Sequence, residues 1–88
     1  MNESCFMQNA RQLVADYTNE HSDPTDILEL ISPEDVYVVW WCKTLQNCKA
    51  LASTPRPDGM YYEITYDGDK NEIYFVAYKK FEQRNIEL

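Results

Sequence analysis

The chain has 88 residues, of which 44% are hydrophobic and 14% aromatic, and only two are glycine. This length suits one domain, residues 1–88, and this composition predicts a folded chain rather than a disordered or fibrous one. The net charge of −7 disfavours the phosphate contacts that duplex DNA requires. No apolar run approaches the roughly 18 residues of a membrane span, and the first residues do not resemble a signal peptide, so we expect a cytoplasmic protein that does not contact membranes.

The negative charge is concentrated in the N-terminal third of the chain. Residues 1–35 hold eight acids and one base, whereas residues 36–88 hold seven of each. A basic partner surface would be attracted to this acidic segment, although a solvated face that keeps a small protein soluble is the simpler interpretation. The predicted acidic binding patch consists of Asp16, Glu20, Asp23, Asp26, Glu29, Glu34 and Asp35.

An amphipathic helix is predicted over about residues 5–20. Its apolar positions follow helical spacing, and they are Phe6, Ala10, Leu13, Val14 and Tyr17. Ser4 can accept hydrogen bonds from the first free amides as the N-cap. Pro24 forbids continuation of this helix.

Residues 22–35 form an acidic connection, and the sequence pattern does not decide whether it is helix or loop. Asp23 and Pro24 suit the start of a short helix through Ile31, but the apolar residues between 27 and 31 could equally pin a loop to the core. One or two helical turns are favoured. The next helix-start pattern, Ser32 to Asp35, leads into seven consecutive apolar residues from Val36, and these predict a strand because a small domain cannot bury a helix on all sides.

Two sequential hairpins are predicted, over about residues 36–53 and 60–79. The first turns at Gln46-Asn47, with Cys42 opposite Leu51. A two-residue Asp-Gly loop in the second would oppose two glutamates, so a four-residue loop from Asp67 to Lys70 is favoured. The pairs that follow are Ile64 with Ile73 and Tyr62 with Phe75.

The alternation of residues in the second hairpin assigns its two faces. The face predicted to receive the helix carries Met60, Tyr62, Ile64, Tyr66, Ile73, Phe75 and Ala77. The other face, expected to be wetter, carries Tyr61, Glu63, Thr65, Glu72, Tyr74, Val76 and Tyr78. The predicted fold class is therefore α+β, with an N-terminal helix packed on a single antiparallel sheet of about four strands.

No set of residues has the spacing of a catalytic, metal or cofactor site. His21 is the only histidine, and the three cysteines lack zinc or disulfide spacing. Asp58 followed by Glu63 superficially resembles the acidic metal ligands of restriction-type nucleases, but Thr65 stands where their lysine would be. We therefore expect a non-enzymatic protein without a metal or cofactor.

The sequence is also rich in aromatic residues, which make up 14% of the chain. We predict an aromatic binding face formed by Trp41, Tyr61, Tyr74 and Tyr78. Such side chains interleaved with lysines can stack single-stranded bases, and tyrosine and tryptophan also supply contact area in protein interfaces. Core filling and cross-strand pairing are the simpler interpretation.

Several motifs together resemble a family of small uncharacterised proteins encoded by phages and prophages of Gram-positive bacteria. They are Val38-Val39-Trp40, Lys43-Thr44-Leu45-Gln46-Asn47, Lys49-Ala50-Leu51, Ser53-Thr54, the run from Asp58 to Tyr66, Gly68-Asp69-Lys70 and Tyr78-Lys79-Lys80. The sequence departs from the usual pattern at Val76, where an acid is common, and at Phe81, where tryptophan is common. The resemblance implies a phage setting inside a bacterial host cell and assigns no catalytic residue.

Two functional hypotheses follow. The first is a non-enzymatic phage accessory protein that binds a host or phage protein, such as a nuclease with a basic groove, and acts as an acidic inhibitor of a defence enzyme, in the manner of an anti-CRISPR protein. The second is an accessory factor that binds single-stranded nucleic acid through the aromatic face. The sequence leaves homo-oligomerisation open.

Overall fold

The computed structural model describes residues 1–21 and 30–88. It contains helix α1 (Glu3–Glu20), a 3-10 helix (Pro33–Asp35) and strands β1 (Tyr37–Thr44), β2 (Asn47–Ser53), β3 (Met60–Asp67) and β4 (Glu72–Lys79). The strands form one antiparallel sheet in the order β1-β2-β3-β4. The predicted α+β fold of one helix and two sequential hairpins is confirmed. The helix predicted to start at Pro24 lies outside the described residues.

Helix α1 begins two residues earlier than predicted because Asn2, not Ser4, is its N-cap. The Asn2 side-chain oxygen accepts a hydrogen bond of 2.8 Å from the amide of Cys5, and asparagine caps a helix as well as serine does. The apolar stripe packs on the sheet as predicted, but its contacts are mainly with β2 and β3 rather than with the second hairpin alone. Phe6 and Val14 are fully buried. No helix in the described ranges is long and apolar enough to cross a membrane.

The 3-10 helix confirms the helix-start pattern at Ser32 and ends where β1 begins. The carboxylate of Asp35 accepts hydrogen bonds from the backbone amide of Ser32 at 2.9 Å and from its hydroxyl at 3.3 Å. These bonds satisfy polar groups that a short helix leaves without backbone partners. Val36, the next residue, is buried in the core.

The core lies between α1 and one face of the sheet, which we call the helix face. Its buried strand residues are Cys48, Ala50, Ala52, Tyr62, Ile64 and Tyr66, and Met60, Ile73, Phe75 and Ala77 pack partly buried beside them. Tyr17 of α1 packs against Tyr62 and Phe75 with ring centroids 5.6 and 5.4 Å apart. The predicted faces of the second hairpin are confirmed.

The register of the second hairpin differs from the prediction by two residues. The loop has four residues, but it runs from Gly68 to Asn71, so that Ile64 pairs with Phe75 and Tyr62 with Ala77. Asn71 adopts a positive φ of 54°, which asparagine tolerates better than most residues. A shift of two residues leaves every side chain on the same face, which is why the face assignment survives.

The first hairpin turns at Leu45-Gln46 rather than at Gln46-Asn47, because the two hairpin turns pack against each other. Thr44 pairs with Asn47, and the Asn47 side chain accepts a hydrogen bond of 2.9 Å from the amide of Gly68. A β-carbon at Gly68 would lie 2.4 Å from the carbonyl oxygen of Gln46, so only glycine permits this approach. Cys42 consequently lies opposite Lys49, not Leu51.

Candidate functional site

The first candidate surface is the helix layer, defined as α1 together with the 3-10 helix. In the described residues up to Asp35 the acids are Glu3, Asp16, Glu20, Glu34 and Asp35, and Arg11 is the one basic side chain. Residues 36–79 hold five acids and five bases, and residues 80–88 hold two of each. The negative excess of the described chain therefore belongs to the helix layer.

The structure separates the described members of the predicted acidic patch. Asp16 and Glu20 are exposed along the side of α1 that faces β4, where they line a groove with Phe75. Glu34 lies on the other side of the helix, in a groove lined by Arg11. Asp35 uses its carboxylate to cap the 3-10 helix. The remaining three predicted members, Asp23, Asp26 and Glu29, lie outside the described residues.

Glu34 is held in its charged form by its own backbone. The Glu34 amide lowers the pKa of this carboxyl below its ordinary value, because a hydrogen bond to the carboxylate stabilises the charged form. The Arg11 guanidinium nearby acts in the same direction. Glu34 is therefore a persistent negative charge at the surface of the helix layer.

The second candidate surface is the open face, the side of the sheet opposite α1. Its large side chains are Tyr37 and Trp40 from β1, Leu51 from β2, Tyr61 from β3, and Tyr74, Val76 and Tyr78 from β4. Five of these seven are exposed, and Leu51 and Tyr61 are half-buried. Within the described part of the chain, α1 lies on the other face and the 3-10 helix packs against α1.

The prediction that Trp41 shares a face with Tyr61, Tyr74 and Tyr78 is wrong. A β-bulge at Val39 places an extra residue in β1, so that Val38 pairs with Ala52 but Trp40 already pairs with Leu51. The extra residue reverses the alternation beyond it. Trp41 consequently lies beside buried Ala50 on the helix face, near the first turns of α1, and Trp40 takes its place on the open face.

The centre of the open face is electrically balanced. Lys49 on β2 forms an ion pair of 3.0 Å with Glu63 on β3, and this bond to Glu63 raises the pKa of Lys49 above its ordinary value. Lys43 and Lys79 pair with Cys48 and Met60, which places both on the helix face. At the edge, the Tyr74 hydroxyl donates a hydrogen bond of 2.6 Å to Glu72, which raises the pKa of this phenol.

A cleft of about 260 Å³ lies at the C-terminal end of α1, and no pattern in the sequence indicated it. Its lining residues are Tyr17, Thr18, His21, Arg56, Asp58, Met60 and Tyr62. His21 stacks on Tyr17 with ring centroids 4.0 Å apart, and its Nδ1 lies 2.8 Å from the Tyr17 carbonyl oxygen, to which it donates when protonated. The cleft combines residues that are up to 45 positions apart in the sequence, so only the fold brings them together.

The acids considered for a nuclease do not form a common site. Asp58 accepts a hydrogen bond of 3.0 Å from the amide of Met60 at the start of β3, whereas Glu63 pairs with Lys49 on the open face. No group of three or more His, Cys, Asp or Glu side chains in residues 1–21 and 30–88 is placed to bind a metal ion. The three cysteines are free thiols, and only Cys48 is buried.

Comparison with known proteins identifies the family. A family model described as a family of unknown function (DUF6275) matches residues 7–88. The chain belongs to this family. The match covers α1 from its second turn and the whole sheet, so the open face and all of the helix layer except the first turn of α1 lie within the family region. No curated protein and no solved structure matches the chain.

Within this family member, Tyr62 makes the fold sensitive to alkaline pH. Burial raises the pKa of its phenol above the ordinary value of tyrosine. The Thr18 hydroxyl donates to the Val14 carbonyl oxygen at 2.8 Å, so the Tyr62 hydroxyl, 3.4 Å away, is the donor in its contact with Thr18. An ionised Tyr62 would lose this donor and leave a charge in the core.

The stability that depends on Tyr62 should be complete below the tyrosine pKa of the unfolded chain, about 10, and should be lost as the pH rises through the higher pKa of the folded state. We expect the free energy of unfolding to fall more steeply above pH 10 in the wild type than in a Tyr62→Phe variant. Urea denaturation at a series of pH values measures both slopes. Equal slopes would show that Tyr62 does not control alkaline unfolding.

Proposed function

We propose that this protein is a non-enzymatic accessory protein that binds a basic surface of another protein through its helix layer. The observation that carries the proposal is the division of charge: the helix layer holds the negative excess of the described residues, while the sheet is balanced. A surface of one sign steers an oppositely charged partner and favours one orientation of approach. The acids on both sides of α1 make the whole layer, rather than one point, attractive to such a partner.

The partner class that suits this surface is an enzyme that handles nucleic acids. Such enzymes carry grooves of lysine and arginine that neutralise phosphates, and an acidic helix layer offers carboxylates to the same groups. The proposed role is an inhibitor of a host defence enzyme, as an anti-CRISPR protein is. The resemblance to phage and prophage proteins of Gram-positive bacteria supports this setting, and the proposed site of action is the cytoplasm of the host cell.

Affinity capture from a host lysate tests the proposal when two charge reversals are compared. Asp16→Lys with Glu20→Lys changes the helix layer, whereas Glu82→Lys with Glu87→Lys makes the same change in net charge beyond β4, at exposed positions. We expect the helix-layer variant to capture at least tenfold less partner than the wild type. The control variant should capture as much partner as the wild type. Equal losses in both variants would show that capture depends only on the total charge. No loss in the helix-layer variant would show that the helix layer does not bind the partner.

Single-stranded nucleic acid is the second candidate ligand, and the exposed aromatic side chains of the open face favour it. These rings can stack bases. The cations that would hold the phosphates are less well placed, because Lys49 pairs with Glu63 and two other strand lysines lie on the helix face. Quenching of Trp40 fluorescence by an oligonucleotide at low salt would support this candidate, and fluorescence unchanged at every ionic strength would exclude it.

A further inference from the structure

The open face has the composition of a protein interface, and its centre carries little net charge. Trp40 and the four tyrosines supply large, stiff contact surfaces, which are enriched in interface cores. Lys49 and Glu63 neutralise each other at its centre. A chain with a net charge of −7 repels its own copies unless they meet at a neutral surface. The centre of the open face is such a surface, because the remaining acids of this face, Asp67 and Glu72, lie opposite each other at one end of β3 and β4.

The second feature is the C-terminal segment, residues 80–88. It is joined to the rest of the fold by a hydrogen bond of 2.7 Å from the Lys80 amide to the Gly59 carbonyl oxygen, and it leaves its apolar side chains uncovered. It follows β4 without forming a helix or strand, and all of its residues are exposed. Phe81 is 98% exposed, and Ile86 and Leu88 are also exposed, although apolar side chains of this size are usually buried. The segment holds two acids and two bases. The radius of gyration, 14.5 Å, exceeds the roughly 12 Å of a compact chain of this length.

We propose that the open face binds a second copy of this chain, with the C-terminal segment of each copy laid over the partner. A two-fold axis parallel to the sheet and just outside the open face brings this face against its own copy. Lys49 and Glu63 then lie where each can approach the opposite charge of the other copy. The helix layers point outwards on both sides of the dimer, so this inference uses a different surface from the proposed function and does not depend on it.

The area of the open face explains why the C-terminal segments belong to the proposed dimer interface. Four strands about 4.8 Å apart, each about eight residues long at about 3.3 Å per residue, present a face of roughly 500 Å². A standard interface buries about 800 Å² per partner, so the sheet alone is too small. Burial of Phe81 adds roughly 150–250 Å² per chain, and Ile86 and Leu88 supply the remainder.

Adjacent tryptophans provide a matched test of the open face. Trp40 is 44% exposed on the open face, and Trp41 is 42% exposed on the helix face, so Trp40→Glu and Trp41→Glu make the same change at almost equal exposure on opposite faces. Sedimentation velocity of the full-length protein from about 1 to about 300 µM should show a dimer for the wild type and for Trp41→Glu. For Trp40→Glu we expect a dissociation constant raised about 100-fold or more, since the change removes a large aromatic anchor and introduces a charge in both copies.

The C-terminal segment is tested in the same experiment with Phe81→Glu. An exposed side chain of this kind contributes little to the fold, and circular dichroism checks that each variant is folded. We expect the dissociation constant of Phe81→Glu to rise at least tenfold. An unchanged constant would exclude the segment from the interface. The inference would be overturned if the wild type stayed monomeric at all these concentrations, or if Trp40→Glu and Trp41→Glu weakened the dimer equally. A failure of the helix-layer capture experiment would leave it unaffected.

Discussion

Replacing Phe6 with alanine should lower the free energy of unfolding by about 3–5 kcal/mol. Phe6 is fully buried in the first turns of α1, among the largest side chains of the core. Truncation removes the apolar contacts of the ring and leaves a cavity that the surrounding β-strands cannot fully close. A domain of this size has a total stability of roughly 4–13 kcal/mol, so this single change should remove a large part of it.

Phe81→Ala is the control for this prediction because it makes the same chemical change at a side chain that is 98% exposed. We expect its effect to stay within about 0.5 kcal/mol. Urea denaturation followed by circular dichroism, at a protein concentration low enough to avoid self-association, measures both variants. If Phe6→Ala were as stable as Phe81→Ala, α1 would not be packed on the sheet as described.

Replacing Ala50 with leucine should destabilise the protein by about 1–3 kcal/mol. Ala50 is fully buried on β2, directly under α1, and lies between Trp41 and Ile64 in the sheet. Ala10 and Ala15 are the buried small residues that α1 presents towards the sheet. Small side chains on both elements set the distance between helix and sheet, so the extra carbons of leucine must push them apart.

The matched control is Thr65→Leu, which introduces the same side chain on the neighbouring central strand but on the open face. Space is available there, and we expect the stability of the monomer to change by less than about 0.5 kcal/mol. Thermal or urea unfolding compares the two variants directly. Equal destabilisation by both substitutions would contradict the assignment of the two faces.

The candidate surfaces differ in how far local patterns could predict them. The acidic excess of the helix layer is a property of composition, and the alternation of Tyr61, Glu63 and Thr65 assigns the open face of the second hairpin. Trp41 was placed wrongly because strict alternation assumes an uninterrupted strand, and the bulge at Val39 breaks it. No local pattern in VYVVWWC marks the position of a bulge, since every residue in the run is apolar and suits a strand.

The sequence alone determined that this chain forms one helix and two antiparallel hairpins, because periodicity and breaking residues act over short stretches. It also determined which residues of the second hairpin face the helix, since a register error of two leaves the faces unchanged. Only the tertiary structure decided the turn at Leu45-Gln46, which tryptophan lies on the open face, and the cleft beside His21. Those features depend on contacts between segments far apart in the chain, such as Gln46 against Gly68, and no local pattern encodes such contacts.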